Sequence, residues 1–441
     1  MITHQYTFMH RFLSAGCTQT PRIACLLLAM SIWHNSPADE YHYNNMLIGD
    51  RASGVGGAYT AIADDPSGWY YNPAGIVQSI GSNISGSMNA YNKVTTTYKN
   101  ALANQFDWVR ESAVLAPNFF GMFQPFAGGK IGLSYAVVDT IFEDQNQEFN
   151  DFGSISSYVI DFNNQDATYQ FGPSFAAEIN DKLSWGITLY AHVRTQENIN
   201  NQIIVLRPDT TKYEWNNTYE YNEESGFRPI LGLMWSPMDK VSLGFTLSKT
   251  YIYDSKHEVH NTCKGIPNST GTPIGTCDNA NRDRNISNST QKRDLPLRIS
   301  LGAAYFYNER LLLSGDLNYF SSTDASFEKA KSSVLNFSLG SEYYLSTEWA
   351  VRGGFYTNMA NTPELQTTNV TTNGVQDPHV DLYGLSISLS RFSRNSVLSF
   401  GINTMFGSGK AQLFPAVSGN TKLQDVEINT LSLFLSTTYS Y

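Results

Sequence analysis

The sequence predicts an all-β chain, a fourteen-stranded antiparallel transmembrane β-barrel. Three observations carry that expectation. Charged residues make up 15% of the chain, well short of the ~25% usual in soluble domains. Aromatic residues reach 13%, yet mean hydropathy is −0.29, and there is no apolar run of the roughly 20 residues a spanning helix needs. From residue 82 onward the chain instead falls into amphipathic segments with a period of two.

The N-terminus reads as an export signal. Arg22 precedes a short apolar run over 23–33, and Ser36-Pro37-Ala38 supplies the small residues of a cleavage site. Residues 1–38 therefore form the expected signal peptide. The stretch before the apolar core is overlong, which makes Met9 an alternative start. Lipid attachment at Cys17 is the weaker reading, because no adequate apolar run precedes it. Cleavage removes Cys17 and Cys25 and leaves Cys263 and Cys277 close together in a polar loop. In an oxidising compartment those two can pair and contribute ~3 kcal/mol locally. Net charge is −10, two units more negative once Arg11 and Arg22 leave, which speaks against a nucleic-acid partner.

Strand alternation is plainest over 241–248. Val241, Leu243, Phe245 and Leu247 share one face; Ser242, Gly244, Thr246 and Ser248 share the other. The Thr, Tyr, Phe and Val content favours strand over helix. Six short connections, at 124–130, 180–182, 236–240, 307–310, 345–348 and 392–395, alternate with long polar stretches. Those stretches lie near 96–112, 143–164, 197–225, 254–294, 322–333, 360–379 and 408–427. Short turns on one side and long loops on the other are how an outer-membrane barrel is strung.

Counting by that rule places strands at 82–95, 113–124, 130–142, 165–178, 183–196, 226–236, 241–253, 295–307, 310–321, 334–345, 349–359, 380–392, 396–407 and 428–441. Both ends then face the short-turn, periplasmic side. Segment 201–222 has the makings of a further hairpin, but parity and polarity assign it to an external loop. The alternating end 433–441, closed by Tyr441, is similar to the signal read by the barrel-assembly machinery, although Phe is the more usual last residue. The expected surroundings are outer-membrane lipid and lipopolysaccharide.

Residues 39–81 do not alternate. Small residues dominate, and Asp65-Pro66 and Asn72-Pro73 each favour a turn. Arg51-Ala52, Gly54, Gly56-Gly57-Ala58, Ala63-Asp64-Asp65 and above all Asn72-Pro73-Ala74-Gly75 carry a family likeness. The segment resembles the hatch of the outer-membrane long-chain fatty-acid transporter family, the FadL/TodX type. The stretch 295–305 is similar to the family's strand entered after a long outer loop.

The resemblance implies a plug over 39–81 inside the lumen of a barrel over 82–441. It also implies passive uptake of hydrophobic small molecules such as long-chain fatty acids, with lateral exit through the wall and no cofactor. A dry path suits such cargo, since apolar surface is favoured out of water by roughly 25 cal/mol per Å².

Asn72, Pro73, Ala74 and Gly75 match the family motif, and two roles stand open for them, gating or rigid seating of the plug. Asp64 and Asp65 are either partners for Arg51 or a wall arginine, or solvated turn carboxylates. Pro117 and Gly172-Pro173 are candidates for a lateral gap, with a harmless rim kink as the other reading. The resemblance implies a kink in the third strand, where Gly132 is the candidate.

Other signals are discounted. Gly54-Val-Gly-Gly57 lacks the strand and the Gly-Lys-Ser/Thr of a phosphate loop. His257, His260 and Cys263 have a spacing a metal could use, but Cys263 has a better partner in Cys277, so no metal is expected. Two alternatives from other classes remain. One is a scaffold binding surface partners through the long loops near 197–225 and 254–294; the other is a membrane-embedded hydrolase with a scattered triad.

Overall fold

Alternation of period two closes into a cylinder. The computed structural model describes residues 41–441 except 103–105, 153–154, 209, 211–212, 265, 268–272, 275–282, 325–328, 366–375 and 414–422. The expected leader 1–38 and Cys277 lie outside the described residues.

Fourteen antiparallel strands form the wall. They are β1 (Asn83–Leu102), β2 (Phe106–Phe126), β3 (Gly129–Phe152), β4 (Ile155–Asn180), β5 (Leu183–Leu206), β6 (Tyr213–Met238) and β7 (Val241–Lys249). The second half comprises β8 (Leu297–Asn308), β9 (Leu311–Phe320), β10 (Val334–Tyr344), β11 (Trp349–Asn358), β12 (Leu382–Phe392), β13 (Ser396–Gln412) and β14 (Gln424–Ser440). An outer arm, Tyr251–Lys264, continues β7 along β6, and Asp283–Ser289 pairs with that arm ahead of β8. β14 returns to β1, with Asn83 opposite Ser440 and Tyr98 opposite Val426, so the wall closes. Both ends meet on the short-turn side.

The alternation sorts side chains between lipid and lumen. Along β12, Tyr383, Leu385, Ile387 and Leu389 are exposed outward, while Ser386, Ser388 and Ser390 are buried inward. Exposed Trp185, Trp235, Tyr305, Tyr343, Trp349 and Tyr439 gather near the short turns. Exposed Tyr251, Tyr319 and Tyr383 mark the opposite rim of the belt. An apolar band flanked by aromatic girdles is the lipid-facing surface of an outer-membrane-type barrel. No helix among the described residues is long and apolar enough to cross a membrane; the strands make the crossing.

The strands rise further than the alternation suggests. β4 and β6 each have 26 residues. The polar stretches 143–164 and 197–225, expected as loops, are continuous strand apart from short tips. Above the membrane the outward face meets water and is polar, while the inward face still alternates with it and carries buried Phe149, Tyr158, Ile160 and Phe162. The hairpin over 201–222 is real, but it extends β5 and β6 rather than adding strands, so the parity holds.

Residues 41–81 fold back inside the wall. They form two short helices, α1 (Asp50–Gly54) and α2 (Gly68–Tyr71), and a 3₁₀ turn, Pro73–Gln78. Ile48, Ala52, Tyr59, Trp69 and Ile76 are fully buried there.

Candidate functional site

The seam between β2 and β3 is the weak line of the wall. From Phe119 opposite Ala136 down to Phe126 opposite Gly129 the ladder is regular. Above it one further pair forms, Ser112 opposite Glu143, and residues 113–118 face 137–142 without ladder partners. Side chains stand in for the backbone higher up. Ser112 Oγ accepts the Phe142 N–H at 2.9 Å, and Gln145 Nε2 donates to Glu111 O at 2.9 Å. The neighbouring β1–β2 and β3–β4 ladders continue past this level. Leu115, 65% exposed, lies on the outer face of this stretch.

Sequence explains the break locally. Pro117 has no N–H to give a ladder. The β1–β2 register shifts beside it, with Ser87 opposite Phe119 but Met88 opposite Pro117, so Asn118 is bulged. On the other edge the β3–β4 register shifts between Val137 and Asp139. A bulge re-aims a side chain, and here both edges send one inward.

Those two side chains grip the plug. Asn118 Nδ2 donates to Leu47 O at 2.8 Å, and its Oδ1 accepts the Gly49 N–H at 2.8 Å. Across the seam, Asn45 Nδ2 donates to Asp139 Oδ2 at 3.1 Å. Plug residues 45–49 thus bridge the two edges from inside. A cavity of about 30 Å³ lined by Tyr98, Arg110, Ser112, Ile141 and Glu143 lies at the upper end of the seam.

Further round the wall the plug sits on facing glycines. Gly186 pairs with Gly232, Gly244 with Gly302, and Gly340 with Gly354. A Cβ on Gly244 would stand 2.1 Å from Thr60 O, and one on Gly354 would stand 2.2 Å from Gly56 N. Gly186 and Gly232 make the same room for Asn72 and Pro73. Three flat seats therefore receive the plug backbone.

Polar anchors complete the seating. Asn72 is fully buried; its Oδ1 accepts the Ala74 N–H at 3.1 Å, and its Nδ2 donates to Thr60 O at 2.8 Å and Leu233 O at 3.0 Å. Ala74 O accepts from Ser184 Oγ at 2.9 Å, and Gly75 fits against Ala63. Asp316 Oδ2 accepts the Tyr59 and Thr60 N–H groups at 2.9 and 2.8 Å. Arg51 makes a bidentate pair with Glu342 of β10 at 2.9 and 3.0 Å, and Glu342 is shared with Arg352 of β11. Asp64 pairs with Arg51 as well. Asp65 turns instead to Ser67, whose N–H it accepts at 2.8 Å.

The remaining sequence candidates lie elsewhere. Gly132 falls in the intact β2–β3 ladder, opposite Phe123, and makes room for the Trp69 indole. Gly172 and Pro173 sit at a two-residue skip in the β4–β5 ladder, between Phe171/Ala191 and Ser174/Thr188. Cys263 is disulfide-bonded. His257 Nδ1 contacts Asn222 Oδ1, and the His260 ring packs edge-on to Tyr219. The alternation places Gly244 on the inward face, but the cross-strand pairing that sets it against Gly302 depends on register, which one strand's sequence does not carry.

The lumen above the plug is lined by an apolar cluster that includes Tyr98, Trp108, Phe149, Tyr158, Phe162, Met405 and Ile428. Its buried cations are mostly matched, Arg110 with Glu143, Arg194 with Asp166, and Arg293 with Glu224. Arg228 and Arg298 differ, with no carboxylate within ion-pair reach among the described residues. Arg228 donates to Gln170 Oε1 at 3.0 Å and Arg298 to Asn318 Oδ1 at 2.9 Å. Both flank the Tyr70 phenol. Burial opposes ionisation of that phenol, but the two guanidiniums outweigh it and leave its pKa below the ordinary value. The cavity beside Arg298 measures about 20 Å³, room for one or two waters.

No family model matches the sequence, and no curated protein does. Solved structures match the fold over nearly its whole length. The toluene transporter TbuX of Ralstonia pickettii covers 90% of this chain and 100% of its own, with TM-score 0.60 and 14% identity. A FadL homologue of Pseudomonas aeruginosa covers 89% and 98%, with TM-score 0.57 and 13% identity. The P. putida toluene transporter TodX covers 88% and 97%, with TM-score 0.58 and 13% identity. At such identity the likeness establishes a shared fold.

Proposed function

We propose that this chain is a FadL/TodX-type outer-membrane transporter that passes hydrophobic small molecules from the outside into the membrane plane. The observation that carries the reading is the β2–β3 seam, open in its ladder and bridged from within by plug residues 45–49. Cargo gathered in the apolar cluster leaves sideways when that bridge lets go. A lateral route spares apolar cargo the aqueous periplasm, at roughly 25 cal/mol per Å² of apolar surface. The names of the structural neighbours, toluene transporters among them, agree with hydrophobic cargo.

The cargo we favour is an amphipathic acid such as a long-chain fatty acid. Arg228 and Arg298 have no carboxylate in ion-pair contact among the described residues, Asp316 acting on Arg298 only from further off, and are suited to receive an acidic head group. Asn72-Pro73-Ala74-Gly75 then serves as the seat on which the plug pivots, with Arg51, steadied by Asp64, tying its far side to Glu342 and Asp65 bracing the turn at Ser67. The test is binding of labelled oleate and labelled toluene to purified protein, and to the Arg228→Gln/Arg298→Gln variant. The expected result is a tenfold or greater loss for oleate alone. Failure of the wild-type protein to bind either compound would overturn the transporter reading; equal loss of both would overturn the acid.

A further inference from the structure

Outside the lumen, the lipid-facing wall carries a trough where a barrel surface is otherwise convex. It measures about 530 Å³, within the range of roughly 300–1,000 Å³ typical of ligand pockets. Its sides are the outward residues Phe120, Leu133, Phe171, Leu189, Ala191 and Phe227, contributed by β2 to β6.

The cause is local and readable. The β4–β5 ladder skips Gly172 and Pro173, and Leu189 lies between Pro173 on one side and Pro229, its partner in β6, on the other. Neither proline has an N–H for the ladder. Gly172 occupies an inward position between buried Gln170 and Ser174, and a Cβ there would stand 2.0 Å from Leu189 O. Glycine therefore lets β5 draw in towards the lumen. Gly226 does the same for the outer arm, where a Cβ would stand 2.5 Å from Tyr251 O. Ser134 and Tyr190 also contribute to the lining, and their buried hydroxyls satisfy each other at 2.6 Å.

Two aromatic stacks stand at the trough's upper edge, Tyr135 on Tyr169 at 6.1 Å and Phe227 on Tyr251 at 5.3 Å. Tyr251 belongs to the outer girdle, so the depression lies just below the outer membrane interface. A concave apolar surface at that depth, in contact with the bilayer, faces acyl chains and nothing else in bulk. We infer that the trough is the seat of one acyl chain of an outer-leaflet membrane lipid, its head group level with Tyr135, Tyr169 and Tyr251. This seat stands independently of what crosses the lumen.

The test is mass spectrometry of the intact protein after extraction and extensive delipidation in detergent. Wild-type protein is expected to keep one membrane lipid per chain. Ala191→Trp fills the trough from the lipid side and is expected to lower occupancy at least fivefold. Ala303→Trp, on an outward position of β8, is expected to leave it unchanged, and both variants are checked for folded gel mobility. Retention of the lipid by Ala191→Trp would overturn the proposal, as would equal loss in both variants or a wild-type protein that keeps none. A retained free fatty acid in place of a membrane lipid would also overturn it.

Discussion

Asn118 accepts the Gly49 N–H at 2.8 Å, and Gly49 takes φ +78 to present it. That contact ties the plug to the bulged edge of an incomplete seam, so wall defect and plug position are one feature. Asn118→Leu keeps the volume and deletes both bonds to the plug. Each lost bond to a buried backbone group costs about 1–3 kcal/mol. Segment 45–49 is expected to open more often, read as at least fivefold faster thiol labelling of a Leu47→Cys reporter.

Glu342 neutralises two guanidiniums at once, Arg51 from the plug and Arg352 from the wall. Glu342→Gln leaves both without their shared carboxylate in a buried site, a loss of about 3–5 kcal/mol. The expected outcome is a lower temperature for loss of the folded band in gel electrophoresis. Double replacement of Glu342→Gln and Arg51→Gln is expected to recover part of it.

The glycine seats give a steric test. Gly244→Val drives a side chain into Thr60 O and is expected to unseat the plug. Overpacking of this kind costs roughly 1–3 kcal/mol even where the surroundings yield. Ion conductance across a planar bilayer should rise well above the wild-type level. Gly353→Ala, whose Cβ would meet nothing closer than 3.9 Å, should leave it unchanged.

Plug docking should also depend on pH. Burial, with Asp50 close by, pushes the Asp65 carboxyl up to about 6, while Ser67 and Arg51 pull the other way. In a released plug the same carboxyl titrates near about 4. The docked form therefore binds more protons between those values. Docking is strongest below about pH 4, weakens as pH rises, and has lost that contribution above about 6. Conductance is expected to increase from pH 4.5 to 7.5, and Asp65→Asn should flatten that rise.

The wall was largely legible in the sequence, because lipid on one side and a polar lumen on the other impose period-two alternation strand by strand. Val241 to Ser248 shows it without ambiguity. The outer halves of β4 to β6 read as loops because their outward face is polar and their many Asn and Gln residues dilute the buried apolar positions, Tyr158, Ile160, Phe162 and Ile204, that alternate with it. The seam was half legible: Pro117 announces a missing donor, but the unpaired stretch of β3 opposite it leaves no mark in composition. Asn118 and Asp139 were invisible as plug contacts, for a bulge decides where a side chain points and one sequence does not declare its bulges. Gly132 misled for the opposite reason, since its missing Cβ serves Trp69 rather than a kink.

Closing the seam tests lateral exit most directly. Leu115 and Thr140 lie opposite each other in the unpaired stretch, both outside the ladder. A Leu115→Cys/Thr140→Cys variant, bridged by a short cleavable bifunctional thiol reagent, holds the two edges together without touching the plug. Uptake of labelled oleate by cells carrying the bridged protein is expected to fall to background and to return when the bridge is cleaved. Uptake that continues unchanged through the bridged wall would contradict the account.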